Sequence, residues 1–424
     1  MKKVFVFSLV TLLMCSACKF SFDKDDHDVR FLNEPTKTFN NQKVDLDNHY
    51  VNSLKEFASS FYKQINEGEN EIFSPISIAT CFSMLLDGAK EESQTELEVF
   101  LHYNDSFNHL NEIKNMLLNS AISRTDPDVI LDIAQSLWVD DSFENAINQD
   151  YVDKLTDYYY AEAMQGKLAG EIMHNALADY INKKTYDFFD LTGEDFKDFD
   201  GVLWLLNTIY LKSPWKTQFN ENDNVEDTFS NLSGGETNVT YMVKTLDNDY
   251  YYDENYLISS FDLESSLKLN VLLPNEDADY QAILSNDENI SSLLNYHLES
   301  PNKSRGCMHY RLPQFRLTEN YNLEEILQEM NVKKIFNPEE ANLKGICDLP
   351  NVGNLYVGKA VHGAGIAVDN NGVEAAAYTV IDIRESSSGP EGNEDVYFYV
   401  NRPFAYTITS GDDLPLFMGV TYSL

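Results

Sequence analysis

The side chains that carry out catalysis are present in this chain but nowhere at catalytic spacing. There is no G-x-S-x-G nucleophile elbow, no H-E-x-x-H zinc helix and no G-x-x-x-x-G-K-[ST] phosphate loop. Gly363-Ala364-Gly365 opens like a dinucleotide fingerprint, but the third glycine and the surrounding βαβ unit are missing. The eight histidines are scattered, without the close or helical pairing that a metal ion needs. The reading is therefore a protein that is not an enzyme and uses neither metal nor cofactor. Cys81 falls in an apolar helical run and reads as a small core residue. Cys307 and Cys347 could pair, although the odd cysteine count beyond the N-terminus makes no disulfide framework.

The unusual chemistry is concentrated in Asp369–Glu385. Val373, Ala375, Ala377, Thr379, Ile381 and Ile383 alternate with Glu374, Ala376, Tyr378, Val380, Asp382 and Arg384. That is the period of a strand with one buried face. Yet three alanines are poor strand formers, and the run leads into Ser386–Glu394, SSSGPEGNE, a loop by composition. Small inward side chains beside a loop describe a conditional strand. It is exposed in one state and able to slide between existing strands in another without overpacking them.

Elements that would position such a strand are legible elsewhere. Tyr50, Leu54, Phe57, Ala58, Phe61, Tyr62 and Ile65 recur at helical spacing and predict a helix over Asn48–Ile65, closed by Gly68. Ser74 and Pro75 form a helix start, cap and first turn, for a second helix through Leu86. Leu267–Pro274 reads as a buried strand ending at proline. With no repeat and no linker, one mixed domain is expected from about residue 46 to 424.

Composition narrows the function. Hydrophobic residues make up 43% of 424, enough for a substantial core. Lys and Arg number 31 against 69 Asp and Glu, a net charge of −38. This argues against nucleic-acid binding and favours a soluble particle with basic partners. Lys2 and Lys3 followed by apolar Val4–Met14 make a signal segment too short to span a bilayer. Ser16-Ala17-Cys18 resembles the end of a bacterial lipobox, with Cys15 where Leu is usual, and marks Cys18 for lipidation. The expected layout is a lipoprotein signal peptide (1–18), an acidic flexible tether (19–45) and the folded domain (46–424). The chain would be exported and lipid-anchored at a bacterial cell envelope, with a periplasmic orientation and an outer-surface or extracellular one both open, touching membrane only through its lipid.

The sequence VHGAGIAVDNNGVEAAAYTV (361–380) resembles the reactive-loop hinge of serpins, the serine protease inhibitors. NEIFSPISI (70–78) resembles their N-F-S-P-x-S-I signature, and GVLWLLNTIYLKSPW (201–215) their N-x-I-Y-x-K-x-x-W strand. Asp132–Val139 also matches a family strand. Arg311–Leu317, followed by a helix over Tyr321–Met330, matches the L-P-x-F strand and its helix. N-R-P-F at 401–404, Phe404–Ile408 and Leu416–Gly419 match the closing strands. The resemblance implies an α+β serpin fold: a large mixed central sheet with additional sheets, about eight or nine helices and an exposed reactive loop over 369–395. It also implies a sheet-opening region made of Ser74, Pro75, Ser77, Asn207, Trp215 and His362, with His362 bonding Asn207. The hinge would be Gly372, Val373, Glu374, Ala375, Ala376 and Ala377. Asn370 stands where the family has Glu, and Val373 where it commonly has Thr.

The implied activity is suicide inhibition. A serine protease attacks the loop, forms an acyl-enzyme and is trapped as the cleaved strand inserts. Counting from Gly372 puts the bond after Ser386. Arg384 suits a trypsin-like pocket but is followed by Glu385, and Ile383 or Ser386 suits an elastase-like enzyme. The implied partners are trypsin-, elastase- or subtilisin-like proteases, with some cysteine proteases as further candidates, and the protein would be a monomer. Two other readings stand beside this one. One is a non-inhibitory serpin acting as a binding or carrier lipoprotein, against which small hinge residues argue. The other is an unrelated surface glycan- or nutrient-binding lipoprotein.

Overall fold

In the computed structural model, which describes residues 29–33, 35, 43–122, 128–143, 146–199, 201–296, 302–347, 355–374 and 394–424, the predicted first helix spans Asn48–Ile65 (α1). Asp47 caps it by accepting the N–H of His49, and its periodic aromatics face inward. Strand β1 (Arg30–Asn33) precedes it and β2 (Glu71–Phe73) follows. Ser74 caps α2 (Pro75–Leu86), accepting the N–H of Ser77, with Pro75 in the first turn as the sequence predicts. Next come α3 (Glu91–Phe100), α4 (His109–Ile122), β3 (Ile130–Asp140), α5 (Gln149–Tyr158), β4 (Glu162–Gly166), α6 (Glu171–Lys184) and β5 (Leu203–Pro214). The chain continues with β6 (Val225–Ser230), β7 (Glu236–Tyr252), β8 (Tyr256–Asp262), β9 (Lys268–Pro274), α7 (Tyr280–Leu284) and α8 (Asp287–Leu294). It closes with β10 (Lys303–Pro313), β11 (Phe315–Asn322), α9 (Leu323–Glu329), β12 (Val361–Asp369), β13 (Gly372–Glu374), β14 (Asp395–Tyr399), β15 (Phe404–Thr409) and β16 (Pro415–Thr421).

The described strands form two large mixed sheets. One is seven-stranded, in the order β1-β4-β3-β5-β13-β12-β11. The other is nine-stranded: β14-β10-β7-β8-β9-β15-β16-β2, with β6 paired on β7. The main core joins α1 and α2 to both sheets. A second apolar cluster, built on Trp138, Tyr180 and Trp204, lies between α6 and the seven-stranded sheet. With both faces covered, β3 and β5 lack the polar alternation of a half-solvated strand.

Three expectations are corrected. The single strand expected over Arg311–Leu317 is two strands in different sheets. Pro313 lacks an N–H to continue the ladder, and the backbone N–H of Gln314 turns to the carbonyl of Thr240 at 2.9 Å. The following helix starts at Leu323, capped by Asn322, rather than at Tyr321. Within the stretch read as a tether, Arg30–Asn33 is an edge strand on β4, and Phe31 packs against the second cluster. Cys81 and Cys307 are free thiols, so the pairing of Cys307 with Cys347 is not made. Cys18, Ala375, Ala376, Ala377, Ile383, Arg384 and Ser386 lie outside the described residues.

Candidate functional site

The turn D-N-N-G joins β12 to β13. Asp369 Oδ1 accepts the backbone N–H of Asn371 at 2.7 Å and of Gly372 at 3.3 Å, an Asx turn that reverses the chain. β13 then runs antiparallel to β12, pairing Gly372 with Asp369 and Val373 with Val368. On its other side it pairs antiparallel with β5, Gly372 with Pro214 and Val373 with Ser213. The start of the hinge is thus already a strand in mid-sheet, and Val373 is only 3% exposed. Gly372 is required by close approach, since a Cβ there would collide with the carbonyl oxygen of Ser213. Among the described residues no ladder joins β5 directly to β12. Beyond Val373 they flank a crevice lined by Ile209, Leu211, Ala364, Ile366 and Phe417.

Trp215 holds this turn from β5's end. Its indole Nε1–H donates to the carbonyl of Asp369 at 2.7 Å, and its backbone N–H to that of Asn371 at 3.3 Å. The ring is 2% exposed and packs edge-on against Phe219. The core role and the position at the mouth of the sheet are therefore one arrangement. Asn370, where the family has Glu, is buried. Its amide exchanges two hydrogen bonds with the amide of Asn224, at 2.9 and 3.0 Å, and its Oδ1 also accepts from Gln314. Sequence reading missed this clasp, because Asn224 sits in an unpatterned stretch. The Asx turn was missed as well, although D-N-N-G carries its residues.

Ser74, Ser77 and His362 come together beneath the far end of β12. The backbone N–H of Ser74 donates to His362 Nε2 at 3.1 Å, and its hydroxyl donates to the carbonyl of Leu416 at 2.7 Å. Burial pushes the His362 imidazole down to about 3, consistent with a neutral ring accepting at Nε2. Tyr321 stacks on His362 at 6.1 Å. The Tyr321 hydroxyl donates to Glu71 Oε2 at 2.5 Å. Burial raises Glu71 to about 7 against the opposing effect of that bond.

Asn207 is corrected. The expected bond to His362 is not made, and both of its amide atoms are buried without a partner. The reason is topological: β5 and β12 are separate members of the sheet rather than hydrogen-bonded neighbours. α2 underlies this region, with the Cys81 thiol 3.7 Å from the carbonyl of Leu205 on β5. On the opposite face Gly365 makes room for Phe188, whose ring occupies the place of a Cβ.

Comparison with known proteins agrees with this architecture. The family model described as Serpin (serine protease inhibitor) matches residues 52–424. The chain is 25% identical over 398 residues to alpha-1-antiproteinase of Mus saxicola, covering 91% of this chain and 92% of that one. It is 27% identical over 389 residues to Serpin A3-5 of Bos taurus, covering 88% of each. The crystal structure of a thermophilic serpin, tengpin, in its native state superposes with a TM-score of 0.75 at 20% identity, covering 94% of this chain and 100% of that one. The chain belongs to the serpin family and has the serpin fold.

Proposed function

We propose that this protein inhibits serine proteases by offering the segment 369–395 as bait and trapping the attacker when the cleaved strand inserts between β5 and β12. The observation that carries this reading is Val373, buried and paired on both sides at the head of the crevice. The protease serine attacks a loop carbonyl at Ile383, Arg384 or Ser386 and forms an ester, and the amine side of the broken bond leaves. The freed strand then extends β13 faster than water hydrolyses the ester. In the register of β13, Ala375 would meet Leu211 and Ile366, and Ala377 would meet Ile209 and Ala364. Thr379 would fall between Asn207 and His362, bringing a hydroxyl to the unpaired Asn207 amide. Each new backbone hydrogen bond contributes about 1 kcal/mol net. Burial of small inward side chains adds to it, so the uncleaved form is held kinetically.

The protein is proposed to act as a monomer at a bacterial cell envelope, anchored through lipidated Cys18. No helix among the described residues is long and apolar enough to cross a membrane. Labelled-lipid incorporation tests the anchor, and a Cys18→Ala variant that still labels would overturn it. Mixing the protein with trypsin-, elastase- and subtilisin-like proteases tests the inhibition. The expected result is a covalent complex that survives detergent. A clean clip with no complex would overturn trapping.

A further inference from the structure

Cys307 and His309 are two residues apart on β10 and point from the same face. Asp395, the first residue of β14, lies opposite Cys307 across a parallel pair. The Cys307 thiol, a His309 ring nitrogen and an Asp395 carboxylate oxygen all fall within 4.8 Å of one another. His309 Nε2 is already 3.0 Å from Asp395 Oδ1.

The ring is prepared for a ligand role. Its Nδ1 is 3.1 Å from the hydroxyl of Thr245, which can accept from Nδ1–H and so support the tautomer that frees the Nε2 lone pair for a metal. Tyr397 stacks on it with centroids 4.8 Å apart. Asp247, opposite Cys307 on β7, adds a second negative charge beside the thiol.

From this juxtaposition we propose that Cys307, His309 and Asp395 form a binding site for a borderline divalent cation of the Zn2+ class. One sulfur, one imidazole nitrogen and one carboxylate oxygen are the donors such an ion prefers, and three protein ligands leave a fourth position for water or Asp247. Tetrahedral Zn2+ with these bond lengths needs ligand atoms about 3.3–3.6 Å apart, so His309 Nε2 and Asp395 Oδ1 must part by about 0.5 Å and the thiol must settle at that spacing from both. Partly exposed side chains on neighbouring strands have that freedom. On binding, the thiol proton is released to solvent, the His309 proton passes from Nε2 to Nδ1 through exchange with solvent, and the His309–Asp395 hydrogen bond is replaced by two bonds to the metal.

The site has a consequence for the chain. β14 is an edge strand that follows the segment 375–393, and it is held to β10 by the parallel ladder from Cys307–Asp395 to Arg311–Tyr399. A metal bound by β10 and by the first residue of β14 would clip the C-terminal root of that segment to the sheet. Neither the site nor the clip depends on protease trapping.

The test titrates ZnCl2 into reduced, metal-free full-length protein by calorimetry and follows hydrogen exchange at β14. The expected result is one Zn2+ per chain, with slower exchange at Val396–Tyr399. Cys307→Ser, His309→Ala and Asp395→Asn should each weaken binding at least about 10-fold. Unchanged melting curves without metal would show that these variants fold. Co2+ in place of Zn2+ should give a thiolate charge-transfer band that Cys307→Ser abolishes. Absence of stoichiometric binding, or binding undiminished in all three variants, would overturn the site. Zn2+ bound with no change in β14 exchange would overturn the clip.

Discussion

The indole N–H of Trp215 and the carbonyl of Asp369 meet at 2.7 Å, and this bond ties the end of β5 to the turn from which β13 departs. The indole is buried and the carbonyl partly so, and breaking the bond leaves that carbonyl without its donor. Trp215→Phe keeps most of the ring packing and removes the donor. The expected effect is a loss of about 1 kcal/mol in the first denaturant transition, with the inhibitory complex still formed. Asn370→Ala, which breaks the amide pair with Asn224, should act in the same direction and by a similar amount. A variant in either series that melts like the parent would show that the turn is held by something else.

Val373 decides whether a strand can enter. It sits between Ser213 and Val368 with its side chain in the core. An arginine there would place an unpaired charge among apolar groups, at a cost of several kcal/mol. Val373→Arg should therefore be cleaved by target proteases at an undiminished rate while forming little covalent complex. The cleaved-to-complexed ratio on a denaturing gel reads this directly. Full trapping by the variant would remove β13 from the mechanism.

Much of this arrangement was legible in the sequence. Helical spacing marked α1, Ser74-Pro75 marked the start of α2, and the resemblance of 361–380 to the serpin hinge marked the strands at the mouth of the sheet. What failed to show has physical causes. β5 is covered on both faces, by α2 and by α6 with its following loop, so Asn207 and Tyr210 carry no signature of which side they face. The Asn370–Asn224 clasp and the Cys307–His309–Asp395 cluster join residues 146 and 86–88 positions apart. Such contacts exist only once strands from distant stretches pair, and no local pattern encodes them. Edge strand β1 was hidden by its acidic neighbours, although Phe31 alone supplies its inward anchor.

If β13 is the head of a longer strand, cutting the bait must stabilise the molecule. Roughly ten added backbone bonds at about 1 kcal/mol each, plus apolar burial, bear on a domain where 1 kcal/mol moves the melting point by about 1–2 °C. Protein nicked once within 383–386 should then melt at least about 10 °C above the intact form by calorimetry. An unchanged or lower melting point would mean that no insertion follows cleavage.

The cluster beneath β12 predicts a particular pH response. His362 is neutral in the fold down to about 3, whereas an unfolded histidine takes a proton near 6.5. Below that pH the unfolded chain gains a proton that the native chain refuses, so His362 costs stability at about 1.4 kcal/mol per pH unit as pH falls toward 3. Glu71 works in the opposite sense. Its carboxyl stays protonated up to about 7 in the fold, against about 4.5 when unfolded. Its contribution is complete below 4.5 and is lost as pH rises through 7. Glu71 is partly solvated, so its effect is the weaker one. Between 4.5 and 6.5 the two slopes partly cancel. Glu71→Gln, which keeps an acceptor for Tyr321 without the titration, should steepen the fall in stability over that window. His362→Gln should instead leave a shallow rise toward acid. Parallel pH profiles for parent and both variants, measured by denaturant melts, would show that neither group titrates as its surroundings require.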